Sequence, residues 1–142
     1  MRSPLNFFLF FLILAPASGL AAEKNGTFRT YYESGAVKGE FPIKDGRLDG
    51  DAKWYYESGA LGALMRYKAN RLDGVTQTFY ETGQVKKMVR MESNKPVGMA
   101  KIYSESGRLA AQEINMQGRA VGLWSYDSEG FVNLCEEPRI PA

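Results

Sequence analysis

Short runs in which apolar and polar residues alternate fill most of the chain. In one run Val37, Phe41 and Ile43 are two or four positions apart. Lys38, Glu40 and Lys44 are interleaved with them. Successive side chains of a β-strand point to opposite faces, so this spacing predicts a strand with all three apolar residues on one dry face and the charged residues on a wet face.

These runs repeat along the chain with a constant step. Two glycine series have members 24 residues apart: Gly26, Gly50, Gly74, Gly98 and Gly122, and Gly35, Gly59, Gly83 and Gly107. Each step contains two runs and two turns, which predicts one β-hairpin per repeat. Five stacked hairpins, or about ten strands, predict an all-β fold built on an elongated, curled antiparallel sheet.

Two kinds of turn are expected in each repeat. One turn ends in glycine or asparagine: Gly46, Asn70, Asn94 and Gly118. Both residue types tolerate positive φ. The other turn has a small hydroxyl residue before a glycine, as in Thr82 and Gly83. This second pattern predicts a short hairpin loop closed by a left-handed glycine.

The first residues differ from the repeats and predict export. Arg2 precedes the unbroken apolar run 7–15, and small residues follow it. This order is typical of a cleaved secretory signal peptide, here residues 1–22, and the run is shorter than the roughly 20 residues that a membrane-spanning helix needs. We therefore expect a periplasmic or secreted protein with a single repeat domain at 23–135 and a polar C-terminal tail or cap at 136–142.

Composition excludes several function classes. Lys and Arg total 18 against 16 Asp and Glu, and the two signs are interleaved, so the chain lacks the basic stripe that nucleic-acid binding requires. The chain has no His, which rules out imidazole catalysis and His-containing zinc sites. Cys135 is the only cysteine, so no intrachain disulfide forms. We expect no enzyme activity and no cofactor.

Two groups of acidic residues suggest chemistry, but each has a simpler interpretation. One carboxylate per repeat forms a column: Glu33, Glu57, Glu81 and Glu105. Its members should lie about 9 to 10 Å apart, and nothing in the sequence distinguishes one of them as a general acid and another as a general base. We therefore interpret them as solvated turn residues. Asp45, Asp49 and Asp51 resemble part of a calcium loop, but Tyr56 stands where that loop needs its glutamate, and no metal site is predicted.

Two surfaces are candidates for binding. The first is an aromatic ladder: Tyr32, Trp54, Tyr56 and Tyr80. A second aromatic series, Tyr31, Tyr55, Phe79 and Tyr103, falls on the opposite face. Exposed Tyr and Trp favour recognition, whereas cross-strand aromatic pairs also stabilise sheets, and the sequence leaves both roles open. The second candidate is a basic rim: Arg47, Arg71, Lys95 and Arg119. It suits anionic lipid headgroups or an acidic partner, or it serves as a solvated edge.

The motif Tyr-Tyr-Glu-Ser-Gly at 31–35 and 55–59, followed by Arg-Leu-Asp-Gly at 47–50 and 71–74, resembles a known repeat. It is similar to the MORN (membrane occupation and recognition nexus) repeat variant of bacterial YwqK-family antitoxins. The resemblance covers residues 26–130. It implies stacked β-hairpins and a protein-binding or scaffolding task, and the antitoxin family implies neutralisation of a partner toxin.

These features together predict an exported, non-catalytic repeat protein that binds another protein. The more specific prediction is that it neutralises its partner as an antitoxin does. The alternative is a binder of cell-envelope glycan or anionic lipid, through the aromatic ladder or the basic rim. An enzyme is disfavoured because no pair of groups with complementary acid and base roles can be named. The sequence leaves open which face is exposed and whether the chain is a monomer or an edge-paired dimer.

Overall fold

The computed structural model describes residues 24–116, 118–127, 129–130 and 132–136. The predicted signal peptide and all but the first residue of the predicted C-terminal tail lie outside these residues. Within them, no helix is long and apolar enough to cross a membrane.

The described chain forms twelve strands in one antiparallel sheet. They are β1 (Asn25–Tyr31), β2 (Val37–Lys44), β3 (Arg47–Leu48), β4 (Gly50–Tyr55), β5 (Leu61–Lys68), β6 (Arg71–Leu72), β7 (Gly74–Phe79), β8 (Val85–Glu92), β9 (Lys95–Tyr103), β10 (Leu109–Met116), β11 (Arg119–Tyr126) and β12 (Val132–Glu136). Ten of them follow one path, β1-β2-β4-β5-β7-β8-β9-β10-β11-β12, with β1 and β12 at its ends. The prediction of an all-β antiparallel sheet of stacked hairpins is confirmed.

The two short strands, β3 and β6, come directly before the longer strands β4 and β7, and one residue separates each pair. β3 pairs with β2, and β6 pairs with β5. Asp49 and Asp73 separate them from β4 and β7, and the amide of Asp49 donates to the Pro42 carbonyl at 3.1 Å. At the next boundary, where Pro96 and Val97 replace Leu and Asp, β9 is continuous from Lys95. The repeat boundary therefore tolerates either an interrupted or a continuous strand.

The turns that join neighbouring repeats have positive φ at two successive residues. Asn70 has φ 68° and Asn94 has φ 69°, which confirms the left-handed conformation predicted for this position. The preceding residues, Ala69 at φ 47° and Ser93 at φ 48°, are also left-handed. Two left-handed residues define a type I′ turn, whose twist matches that of the flanking strands. The sequence did not reveal the first of these positions, because Ala and Ser are not typical residues there.

Asparagine also joins each of these turns to the previous repeat. The Asn70 amide donates to the Leu48 carbonyl at 2.9 Å, and the Leu48 amide donates back to Asn70 Oδ1 at 2.7 Å. Asn94 and Leu72 make the same pair of bonds at 2.9 and 2.7 Å. The side chain thus acts as an extra peptide group, and it fixes the position of one repeat against the next.

Replacing Asn94 by glycine should lower the free energy of unfolding by about 1 kcal/mol, since the Leu72 amide loses its acceptor while the turn keeps its left-handed residue. Asn94→Asp is the control, because aspartate retains an oxygen at the acceptor position. Urea unfolding followed by circular dichroism measures both variants. Equal stability of the two would show that the side-chain bond does not contribute.

The second kind of turn, which ends in glycine, closes each hairpin as predicted. In the third repeat the Gly83 amide donates to the Tyr80 carbonyl and the Tyr80 amide donates to the Gln84 carbonyl, both at 2.8 Å. Gly83 has φ 88°, and Gly35, Gly59, Gly107 and Gly130 lie between 81° and 88°. The left-handed glycine is therefore confirmed in every repeat.

A register shift beside each of the first four of these turns corrects one prediction. Thr30 lies opposite Gly39, but Tyr31 lies opposite Val37, so Lys38 is an extra residue in β2. The shift recurs between Trp54 and Tyr55 and between Thr78 and Phe79. Because Val37 pairs with Tyr31, it lies on the opposite face from Phe41, not on the same face as strict alternation predicts. The extra residue of a β-bulge shifts the alternation of side chains between the two sheet faces by one position.

Candidate binding surface

One face of the sheet, which we call the dry face, carries most of the buried side chains. Register places a row of residues from seven successive strands on it: Phe28, Phe41, Ala52, Met65, Thr76, Val89 and Ala100. Ala52 and Ala100 are fully buried, and Phe41, Thr76 and Val89 are at most 5% exposed. The described strands all belong to one sheet, so no second sheet packs on this face among the described residues. The small residues are therefore covered by the larger side chains beside them in the row.

Trp54 lies in the second row of the dry face. Its backbone pairs with Gly39 on one side and Ala63 on the other. The Trp54 and Tyr56 rings meet edge to face, with their centroids 5.0 Å apart. Trp54 covers Gly62 so closely that a Cβ there would lie 2.1 Å from the indole ring. Trp54 is half-buried, so part of this large aromatic surface still faces solvent.

The tyrosines of the predicted ladder have hydrogen-bond partners within the chain. The hydroxyl groups donate to main-chain carbonyls one repeat further on: Tyr32 to Tyr55 at 2.7 Å, Tyr56 to Phe79 at 2.8 Å and Tyr80 to Tyr103 at 2.9 Å. Burial raises the pKa of Tyr32, and nearby Glu57 and Glu81 act in the same direction. These tyrosines therefore stabilise the stacking of repeats. A role in binding a partner stays a prediction for their rings and for Trp54.

The side chain that packs over the ladder tyrosine differs from one repeat to another. The ammonium groups of Lys38 and Lys86 lie 5.3 Å from the ring centroids of Tyr32 and Tyr80. In the second repeat the equivalent position is Gly62, and Trp54 occupies the space instead. The sequence held a signal for this arrangement, since only this repeat combines tryptophan with glycine at those two positions, but strand periodicity alone did not reveal it.

The opposite face, the wet face, is polar at its β1 end. Arg29 Nε lies 2.9 Å from Glu40 Oε1, and the Tyr55 hydroxyl donates to Glu40 Oε2 at 3.0 Å. The Arg29 hydrogen bond, followed by that of Tyr55, lowers the pKa of Glu40. Burial raises the pKa of Tyr55, and its bond to Glu40 adds to the shift. Arg66 and Asp51 form a second ion pair at 2.7 Å, which lowers the pKa of Asp51.

The second aromatic series lies on the wet face, as the Tyr55 bond to Glu40 demonstrates. Tyr31 is 57% exposed. Further along this face Val85, Met88 and Tyr103, with Gln84 and Gly107, line an open hollow of about 310 Å³. The hollow is shallow and mostly apolar, and it holds no pair of acid and base groups. This hollow is therefore not an enclosed site.

The basic rim follows the edge formed by the type I′ turns. All four members are exposed. Lys44 pairs with Arg47 across the first turn and Lys68 pairs with Arg71 across the second, which adds cations to the rim there. Within the described residues no ion pair involves a rim residue. The acidic column follows the other edge, where the Ser34 hydroxyl donates to Glu57 Oε1 at 2.7 Å.

The aspartates considered for calcium have other partners. Asp49 Oδ2 accepts a hydrogen bond from the Ala69 amide at 3.2 Å, and Asp51 is held by Arg66. Asp45 has left-handed φ at 50° as the first residue of its turn. In the described part of the chain no cluster of three acidic, Cys or His residues could hold a metal ion.

Comparison with known proteins agrees with this hairpin division. Residues 24–45, 48–69 and 72–91 match the family model described as MORN repeat variant. Each matched segment contains one long hairpin: β1 with β2, β4 with β5, and β7 with β8. No curated protein matches the chain.

A crystal structure of accessory secretory protein 1,2 and 3 in Streptococcus pneumoniae is similar at 14% identity, with a TM-score of 0.32. The likeness covers 86% of this chain and 23% of that one, so this chain spans less than a quarter of its length. At this TM-score the likeness carries no argument about function.

Proposed function

We propose that this MORN-repeat protein is an exported, non-catalytic binding module, and that its dry face around Trp54 binds another protein. MORN repeats generally mediate binding to proteins or membranes. The observation that carries the proposal is an apolar sheet face, with no second layer on it in the described chain, that keeps a half-buried tryptophan on β4, the third strand from the β1 edge. Tryptophan is among the residues that contribute most to protein interfaces.

Charge on the dry face favours a protein over an anionic ligand. From β1 to β10 the charged residues in its two rows are Lys87 and Glu113, and their side chains lie 3.5 Å apart and neutralise each other. Lys38 and Lys86 lie beside the Tyr32 and Tyr80 rings, and the positions between them in the two rows are apolar or uncharged, as is typical of the core of a protein interface. The expected partner therefore presents apolar side chains to this face.

We propose more specifically that binding neutralises the partner, as the resemblance to YwqK-family antitoxins implies. An open sheet several repeats long can cover a wide area of a partner and so block its working surface. The partner must then share the compartment that the signal peptide predicts, which is the periplasm or the cell exterior. An inhibited activity of the purified partner would distinguish neutralisation from scaffolding.

Trp54→Ala should weaken partner binding at least tenfold, as expected for a large aromatic contact inside an interface. Leu64→Ala is the matched control, because Leu64 is half-buried on the wet face. Both variants are compared with the parent chain in pull-downs from an extract of the exporting cell, and the Kd for the recovered protein is then measured with purified components. Equal loss with both variants, or retention by Trp54→Ala, contradicts the proposal. Unfolding curves confirm that each variant is folded.

A second candidate function is binding to anionic lipid, because all four basic rim residues are exposed and unpaired among the described residues. Their replacement by Gln should abolish co-sedimentation with vesicles containing anionic phospholipid, while Trp54→Ala should leave it unchanged. Loss of binding at high salt is expected, since exposed charges are screened. Purified peptidoglycan in the same assay tests the glycan alternative.

A further inference from the structure

β1 is an exposed edge strand without the usual protection. All of its residues except Thr30 are exposed, and β2 is its only neighbour within the described sheet. Natural edge strands are protected by lysine, proline, bulges or short length. β1 has seven residues and contains neither Lys nor Pro, and its register shift comes at its last step, between Thr30 and Tyr31. Its outer edge is therefore regular enough to accept another strand.

The one charged residue of β1 is already paired. Arg29 is bound to Glu40 on its own sheet face, which offsets part of the charge that an approaching strand meets. Phe28, next to it, is 46% exposed although it ends the apolar row of the dry face. Its ring centroid lies 6.3 Å from that of Phe41, and its other side is open. The apolar row is thus incomplete at this edge.

We propose that two copies of the chain pair through β1 in antiparallel fashion, centred on Phe28. Phe28 then lies opposite Phe28 of the partner subunit and completes the apolar row. On the wet face Thr27 lies opposite Arg29 of the partner subunit, so no like charges face each other. The two-fold axis is perpendicular to the sheet, which keeps both dry faces on one side and joins them into a continuous surface.

Symmetry favours this pairing over pairing of β1 with β12. Contact between β1 of one copy and β12 of another would leave a free edge at each end and grow into open filaments, whereas β1 with β1 closes as a dimer. β12 is shorter, with five residues, and it ends in Glu136. A second copy is therefore the occupant that the β1 edge fits.

Replacing Thr27 by residues of opposite charge tests the proposed pairing. In the proposed register, glutamate at this position forms two symmetric pairs with Arg29, whereas lysine places two pairs of like charges opposite each other. Cross-strand pairs of this kind should change the dimer dissociation constant by about 2- to 30-fold, downward for Thr27→Glu and upward for Thr27→Lys. Thr27 is exposed, so the monomer fold should be unaffected. Sedimentation equilibrium of the full chain, as the cell processes it, measures the constant.

Cysteine cross-linking tests the register itself. Phe28→Cys in a Cys135→Ser background should give an oxidised dimer, while Met99→Cys in the same background should not, because Met99 is exposed within the middle of the sheet. A chain that stays monomeric at high concentration overturns the proposal. So does a dimer whose dissociation constant is the same for Thr27→Glu and Thr27→Lys. The latter comparison holds even if Phe28→Cys fails to fold.

Discussion

Replacing Gly62 by lysine should destabilise the chain by about 3 kcal/mol, at the upper end of the cost of overpacking. A Cβ at this position would lie 2.1 and 2.2 Å from two carbons of the Trp54 ring and 3.2 Å from the Tyr56 ring. The indole therefore has to leave its position, and its edge-to-face contact with Tyr56 is lost. The lysine itself is not the problem, since Lys38 and Lys86 occupy the equivalent positions of two other repeats.

The same substitution should cost little when Trp54 is first replaced by threonine. Thr30 and Thr78 stand at this position in the repeats that carry lysine, so the double variant reproduces their combination. We expect a coupling energy of about 2 to 3 kcal/mol between the two sites, as is found for residues in direct contact. Urea unfolding of the parent, the two single variants and the double variant measures it. If Gly62→Lys costs the same in both backgrounds, Trp54 is not the obstacle.

Replacing Gly83 by valine should lower the free energy of unfolding by about 2 kcal/mol, because a β-branched residue strongly disfavours left-handed φ. No atom lies within 4 Å of a Cβ at this position, so the cost comes from the backbone conformation and not from a clash. Gly83 closes the hairpin of β7 and β8 in the middle of the sheet, where loss of the turn weakens contacts to both neighbouring repeats.

Gly83→Asn is the matched control, because asparagine adopts left-handed φ more readily than any other residue with a comparable side chain. It should cost less than about half as much as valine. Thermal unfolding followed by circular dichroism compares the two. A valine variant as stable as the asparagine variant would show that the left-handed residue does not limit the stability of this hairpin.

The hairpin repeat is readable from the sequence because its signals are local. Turn residues such as Gly83 and Asn70 are required by the φ of their own position, and they recur with a constant step whatever the rest of the chain does. The alternation of Phe41 and Ile43 with charged residues reflects the geometry of a single strand. For these reasons the all-β antiparallel fold and its division into hairpins are both predicted and observed.

The candidate surface was predicted less completely, because side-chain partners depend on which strands become neighbours. The sequence identified the aromatic ladder, but not that the Tyr56 hydroxyl reaches the Phe79 carbonyl of the next repeat. It identified Arg47 as a rim residue from its position after the turn, and the structure places it there. Binding by either surface remains a prediction that the proposed variants test.

The sequence by itself determined the number of hairpins and the position of each turn, since these depend on local backbone preferences and on a fixed period. Only the tertiary structure decided which face Val37 occupies, what covers Gly62 and which amide Asn70 Oδ1 accepts from. These outcomes depend on bulges and on register between strands more than ten residues apart, and the free energy of such contacts does not appear in the pattern of any single strand.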